Sequence, residues 1–233
     1  MATDSPHESS FAPPLDSGPP LSRKGLLARQ AADRLREAIV RGTYAAGQPL
    51  REVDLSEELG ISRSPVREAL RQLLGEGLVE IRPNKGTVVA SMSEAELTQI
   101  AELCRMIESH LMQHAVPGLT SELLDAAAEA VERLDVIEDA VEWFRANWAF
   151  HSVLYVPASR PLEVRFVASL RARADRYIYL LARDPELRAA LNREHRGILG
   201  ACRAGEAERA AVLLDHHLDQ GRRLVGRMLQ GGV

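Results

Sequence analysis

Lysine and cysteine are scarce in this chain, aromatic residues make up only 4% of it, and no long apolar run interrupts it. Lys24 and Lys85 are the only lysines among 29 basic side chains, so positive charge resides almost wholly on arginine; a GC-rich genome and a function would bias the composition alike. Cys104 and Cys202 are the only cysteines and sit in no CxxC or similar spacing. That excludes a disulfide framework and leaves two buried thiols in a reducing, cytoplasmic setting. No apolar segment approaches the length that would span a bilayer. The opening MATDSPHESSFAPPLDSGPP lacks the basic start and apolar stretch of a secretory signal. Its Pro, Ser, Gly and Asp residues bury little surface, and residues 1–22 read as a disordered tail.

What is present suffices for a globular protein of one large or two ordinary domains: 233 residues, 45% hydrophobic and 27% charged. The net charge of −4 is unevenly spread. Residues 1–19 hold three acidic groups and no Lys or Arg, residues 20–90 hold 12 basic against 9 acidic groups, and the remainder holds 17 against 21. A basic segment beside an acidic one points to two domains, the first able to meet a polyanion. From 26 to 40 apolar residues recur at helical spacing and stop before Gly42. REVDLSEELG forms a second short helix closed by Gly60, and Ser62 or Ser64 can cap a third, with Pro65 in its first turn, running to about Glu76. LVEIRP and GTVVA then make two strands around the turn PNKG. Three helices followed by a hairpin is the winged helix-turn-helix order, expected over 23–91. From 92 to 233 every segment reads as helix: about 93–116, 120–140, 140–156, 161–183, 185–203 and 206–229, joined by Pro- and Gly-containing connections. The fold expected is mainly α, a winged helix-turn-helix followed by a bundle of six or seven helices.

The third helix divides its labour. Val66, Ala69, Leu70, Leu73 and Leu74 recur at three and four and can pack inward, while Arg63, Arg67 and Arg71 are four apart and line the outer face. A helix fits the major groove, where arginine makes paired hydrogen bonds to guanine. Bases would be met from the N-terminal end by Arg63, Ser64 and Arg67; Arg71, a turn later, suits a phosphate. Asn84, Lys85 and Gly86 offer a cation and unhindered backbone at the hairpin tip. Taken singly, each arginine reads as part of a solvated face, with Arg67 or Arg71 pairing with Glu68 or Glu76; helix order, basic face and basic-tipped hairpin together favour DNA. The stretch IVRGTYAAGQPLREVDLSEELGISRSPVREALRQLLGEGLVEIRPNKGTVV closely resembles the N-terminal domain of GntR-type bacterial transcription regulators. That resemblance implies operator-base contacts by Arg63 and Arg67 and a wing at Lys85–Gly86; Arg51 lies near another family contact without a secure alignment.

Seven histidines remain to be sorted. His7 is in the tail and His110 and His114 end one long helix, while His151, His195, His216 and His217 lie on three later helices. Side chains from different helices can converge on a metal in a bundle. Asn147 precedes His151 by four residues, so the two share a face. His216 and His217 diverge by about 100°, so at most one faces inward. RANWAFHSVLY, NREHRGILGACRAG and AAVLLDHHLDQG resemble the three metal-carrying segments of the FCD ligand-binding domain of FadR-type GntR regulators, and LTQIAELCRMIESHLMQHA resembles its first helix. The resemblance implies Asn147, His151, His195 and His217 as ligands and excludes His216. The family often has aspartate at the first position; Asn147 ligates only through a neutral oxygen, so the site loses a negative charge. Three imidazoles and an oxygen still suit a divalent ion, zinc or nickel foremost. Arg105 is the candidate clamp for an acid ligand's carboxylate, with Arg171, Arg173 and Arg176 as weaker candidates.

The expectation is a metabolite-responsive, homodimeric transcription regulator, by architecture a repressor, that binds a near-palindromic double-stranded operator and a small carboxylate and has no membrane segment. One alternative keeps DNA binding but gives the pocket no metal and a larger ligand such as an acyl thioester. A histidine-metal enzyme is the other, and it would need a general base beside the metal. No HExxH arrangement exists, and Glu194 lies on a different face from His195.

Overall fold

The computed structural model describes residues 22–91 and 93–230, without the side chains of Arg176, Leu229 and Gln230. The tail expected over 1–22 lies outside the described residues, Ser22 excepted. The first unit comprises α1 (Arg23–Val40), α2 (Glu52–Leu59), α3 (Arg63–Gly75) and the antiparallel strands β1 (Val79–Arg82) and β2 (Gly86–Val89). Ser22 caps α1 by accepting from the Gly25 amide, and Gly60 ends α2 in the left-handed conformation. The strands pair from Val79↔Val89 to Arg82↔Gly86, and Pro49 bridges Val88 from the far side. This places the tip residues Pro83, Asn84 and Lys85 at the outer end of the hairpin. Asn84 has φ 63°, a left-handed turn position that asparagine tolerates.

Leu35, Ile39, Leu55, Val66 and Leu73 form the core of this unit, each nearly without exposure. Truncating such a residue to Ala typically costs about 2–5 kcal/mol. Arg36, buried on α1, grips the Glu76 carboxylate with Nε at 2.8 Å and Nη2 at 2.7 Å, tying α1 to the end of α3. Leu74 departs from the inward role expected of it and is 39% exposed. At about 100° per residue it lies roughly 90° from the centre of the stripe formed by Val66, Ala69, Leu70 and Leu73.

Six helices follow: α4 (Glu94–Ala115), α5 (Ser121–Val136), α6 (Ala140–Tyr155), α7 (Pro161–Ala182), α8 (Pro185–Arg203) and α9 (Ala207–Gln230). Two single 3-10 turns, Val116–Gly118 and Val156–Ala158, complete α4 and α6. Ser93, Thr120, Asp139 and Asp184 cap α4, α5, α6 and α8 through side-chain oxygens. Leu111, Met112, Phe150, Leu154, Ile198 and Leu214 make the main core of the bundle. Cys104 and Cys202 are both free and buried.

The two units touch along α1, α6 and α7. Val40 packs with Val141 and Tyr179, Arg41 pairs with Asp139 at 3.1 Å, and Arg145 pairs with Glu37 at 2.9 Å. Arg173 of α7 pairs with Glu96 and lies over Gly77. A Cβ at Gly77 would approach the Arg173 Nε to 2.8 Å, so the glycine permits both its positive φ of 73° and this contact.

Candidate DNA interface and buried histidine centre

The third helix carries its cations where the sequence pattern expects them. Arg63, Ser64, Arg67 and Arg71 are exposed along α3, while Val66, Ala69, Leu70 and Leu73 are buried on its opposite side. Ser62 occupies the N-cap position and makes no side-chain cap bond; Ser64 lies within the first turn. The helix start therefore presents free amides and hydroxyls together with Arg63, a combination that favours anions. Arg67 is held by Glu52 of α2, Nε to Oε1 at 2.9 Å and Nη2 to Oε2 at 2.8 Å. That bond keeps the Glu52 carboxyl below its ordinary value. Arg71 pairs with Glu68 at 2.9 Å. Both pairs are exposed and weakly held, so either arginine can exchange its carboxylate for a base or phosphate. Arg63 makes no ion pair among the described residues. Asn84, Lys85 and Gly86 are exposed at the hairpin tip.

In the bundle, three histidines from three helices converge. His151 of α6, His195 of α8 and His217 of α9 are buried, and one ring nitrogen from each lies within 4.8 Å of the others. His195 Nε2 and His217 Nε2 stand 3.1 Å apart. Both ring nitrogens of His151 lack a hydrogen-bond partner among the described residues, and burying such groups unsatisfied is costly. Burial holds the pKa values of His151 and His195 well below the ordinary range, with Arg171 a further cause for both. Their rings are neutral near pH 7, with lone pairs available for a cation. His217 Nδ1 meets Glu194 Oε2 at 2.8 Å, and His195 Nδ1 faces Asn192 Oδ1 at 3.4 Å. Such outer partners orient imidazoles toward a metal. Asn147, also buried, lies one turn before His151 and with His217 lines a cleft. Three converging imidazoles, with both His151 nitrogens lacking a partner among the described residues, fit a divalent ion. His216 is exposed, as are His110, which pairs with Glu163 at 3.0 Å, and His114.

Arg105 does not reach the cleft. Its guanidinium is taken by Asp215, with Nη2 to Oδ2 at 2.7 Å, and by Asp219 at 3.1 Å. Cys104 points inward from α4, so its neighbour is turned by about 100° onto the flank facing α9. The cleft's buried cation is Arg171 of α7, whose Nη1 donates to Glu108 at 2.8 Å and whose Cζ lies 5.0 Å from the Trp148 ring centroid. Tyr155 donates to the same carboxylate at 2.6 Å. Arg173 faces the unit junction, and the side chain of Arg176 is outside the described residues. Sequence reading passed over Glu108, Tyr155, Asn192 and Glu194 as site residues. Glu108 meets Tyr155 and Arg171 across 47 and 63 positions and Glu194 meets His217 across 23, beyond the reach of local pattern, whereas Asn192 stands only three residues before His195.

The comparisons with known proteins divide the chain where the fold changes character. Residues 27–89 match the family model described as bacterial regulatory proteins, gntR family, and residues 99–220 match the FCD domain. The HTH-type transcriptional regulator BphR of Paraburkholderia xenovorans (strain LB400) is 28% identical over 222 residues, 91% of this chain and 89% of that protein. The HTH-type transcriptional repressor RspR of Escherichia coli (strain K12) is 28% identical over 193 residues, 80% of this chain and 83% of its own. The structure of E. coli McbR/YncC superposes with a TM-score of 0.76 at 24% identity over 87% of this chain and 98% of that one, a likeness of fold. The chain belongs to the GntR family of bacterial regulatory proteins, with an FCD domain behind its winged helix-turn-helix, and is a transcription regulator and not an enzyme.

Proposed function

We propose that the protein represses transcription as a homodimer and is controlled by a small organic acid bound beside a divalent metal, zinc or nickel, in the bundle. The observation that carries this reading is the cluster of three buried histidines, of which His217 lines a cleft that also holds Arg171. Asn147, His151, His195 and His217 would hold the ion; when bound, it supplies a Lewis-acidic, positively charged partner for the acid's carboxylate or hydroxyl oxygen. Glu194 fixes the His217 ring through Nδ1, and Arg171 takes the role first assigned to Arg105, because it alone of the two lines the cleft.

On the DNA side, Arg63, Ser64 and Arg67 would read base edges, with Arg71, Asn84, Lys85 and Gly86 on the backbone and neighbouring groove. Two copies would set their α3 helices in successive major-groove turns of a near-palindromic operator. Exposed Met106 on α4 and Leu162 and Phe166 on the adjoining α7 provide apolar surface for a second copy. Helix α7 borders both regions: Arg171 and Ala174 line the cleft, while Arg173 and Tyr179 face the first unit. An acid that shifts α7 changes the seat of α1, and it acts only to the extent that it binds the two arrangements unequally.

Elemental analysis of protein purified without a metal column tests the centre. One divalent ion per chain in the wild type, lost in His151→Ala, is the expected result. Wild-type protein that stays empty when offered zinc and nickel overturns it.

A further inference from the structure

We infer that the effector is a monocarboxylic acid with an apolar body, a medium-chain or single-ring acid, and not a polyhydroxy or multiply charged one. This rests on the reading of the cleft as the effector site.

The cleft has two unlike ends. Glu108, Asn147, Arg171 and His217 gather at one of them, beside the histidine cluster. Away from them, α4 presents Ile100 and Leu97, α7 presents Ile178 and Leu181, and α9 presents Gly221 and Val225. The order along each helix is consistent: α7 and α9 run from the polar end outward and α4 runs toward it. Ten residues separate Arg171 from Leu181 on α7, which at 1.5 Å per residue sets the two ends about 15 Å apart. At the far end α4 and α9 meet, since a Cβ at Gly226 would lie 3.9 Å from Glu94 Oε1. Near the middle, Cys104 contributes a thiol that burial, then the Glu108 charge, pushes well up and keeps neutral.

Arg171 is committed to Glu108 through Nη1, and the part-exposed Arg222 shares Asp219 with Arg105 and Arg223. The remaining guanidinium donors of Arg171 and the Asn147 amide can receive one carboxylate at the polar end. A second carboxylate, or a row of hydroxyls, would be buried among Leu97, Ile178 and Leu181, where the Trp143 indole N–H offers a single donor, unpartnered among the described residues. An alkyl chain or ring instead removes apolar surface of its own and of these walls from water. At Gly221, one turn beyond His217, a Cβ would meet nothing within 4 Å, so the cleft is open where such a body must pass.

Calorimetric titration of the zinc-loaded full chain with acetate, butanoate, hexanoate and octanoate tests the inference, with citrate, tartrate and an octanoyl thioester as comparisons. The expected result is a Kd that falls about fourfold with each added methylene once the chain enters the cleft, with octanoate ahead of all three comparisons. In Gly221→Leu, whose helix gains by losing a glycine, octanoate should weaken at least tenfold and by more than acetate. An affinity flat across the series, or tighter binding of citrate, tartrate or the thioester than of octanoate, overturns the inference and leaves the cleft as an effector site. Absence of heat from every acid, with zinc or without, overturns both the inference and the reading beneath it. A chain-length dependence that persists in metal-free His151→Ala sustains the inference while removing the metal from it.

Discussion

The arginines of α3 stand in solvent on one stretch of thirteen residues, whereas the three histidines of the bundle are buried and come from helices scattered over 67 positions of sequence, from His151 to His217. An exposed cation needs no support from its surroundings, because water solvates it; it needs only a helix to set its direction. A buried polar centre needs a second set of groups to hold it. The bundle supplies them as Glu194 and Asn192 behind the histidines and as Tyr155 and Arg171 around Glu108. The first region can therefore lose a functional side chain without losing stability, and the second cannot.

The largest expected effect tests that contrast directly. Glu108→Ala leaves Arg171 buried without its carboxylate and should cost about 3–5 kcal/mol in urea unfolding, whereas Arg63→Ala should change stability by no more than roughly 0.5 kcal/mol. Equal stability losses would break the comparison.

On DNA the order reverses. Arg63→Ala and Arg67→Ala should each lower operator affinity about tenfold to a hundredfold in a fluorescence-anisotropy titration with no change in melting temperature. Retained sequence-specific binding in both variants would remove these residues from base readout. Arg71→Ala should weaken binding to all sequences alike and reduce the slope of log affinity against log salt by about one.

At the junction between the two regions, Gly77→Ala places a side chain at φ 73° against Arg173. It should cost about 1–2 kcal/mol for the left-handed backbone alone, and Arg173→Ala should relieve only the part due to the contact. Asp175 gives the smallest effect and one that depends on pH. Its Oδ1 is buried without a partner, and its charged neighbours are committed elsewhere, Arg171 to Glu108 and Arg36 to Glu76 and Asp33. Burial raises its pKa well above the ordinary value. The folded state thus keeps a proton that the unfolded state releases near pH ~4, and the stability that proton confers is lost as pH rises from there through the folded-state pKa. Asp175→Asn should melt modestly higher than wild type at neutral pH and equal to it in strong acid; a difference independent of pH would show that Asp175 is ionised in the fold.

Much of this architecture is legible in the sequence because its punctuation is local. Gly42 and Gly60 end α1 and α2, Ser93, Asp139 and Asp184 open α4, α6 and α8, and Pro161 and Pro185 stand at first turns. The helix limits expected from the sequence fall within a few positions of the observed ones. The outward arginines follow from helical phase, whereas phase allows only one of His216 and His217 to face inward and the family resemblance implies that it is His217. What phase does not reveal is which neighbour a side chain finds. Arg105 shares a helix with the cleft-lining Cys104 and Glu108, yet Asp215 and Asp219 of α9, more than a hundred residues away, claim it. Arg171 sits among several arginines of α7, and only the packing of α4 against α7 singles it out. Leu74 fits the apolar pattern and still lies at the edge of the stripe, 39% exposed.

The central claim is that the buried centre governs the exposed face. It is tested most directly by operator affinity, measured by anisotropy on metal-loaded wild type and on His151→Ala, with and without a saturating medium-chain acid. The account predicts a shift of at least about fivefold in the wild type and none in His151→Ala, with both proteins equally able to bind operator in the absence of acid. An operator affinity unmoved by the acid in the wild type, or moved equally in both proteins, would contradict it.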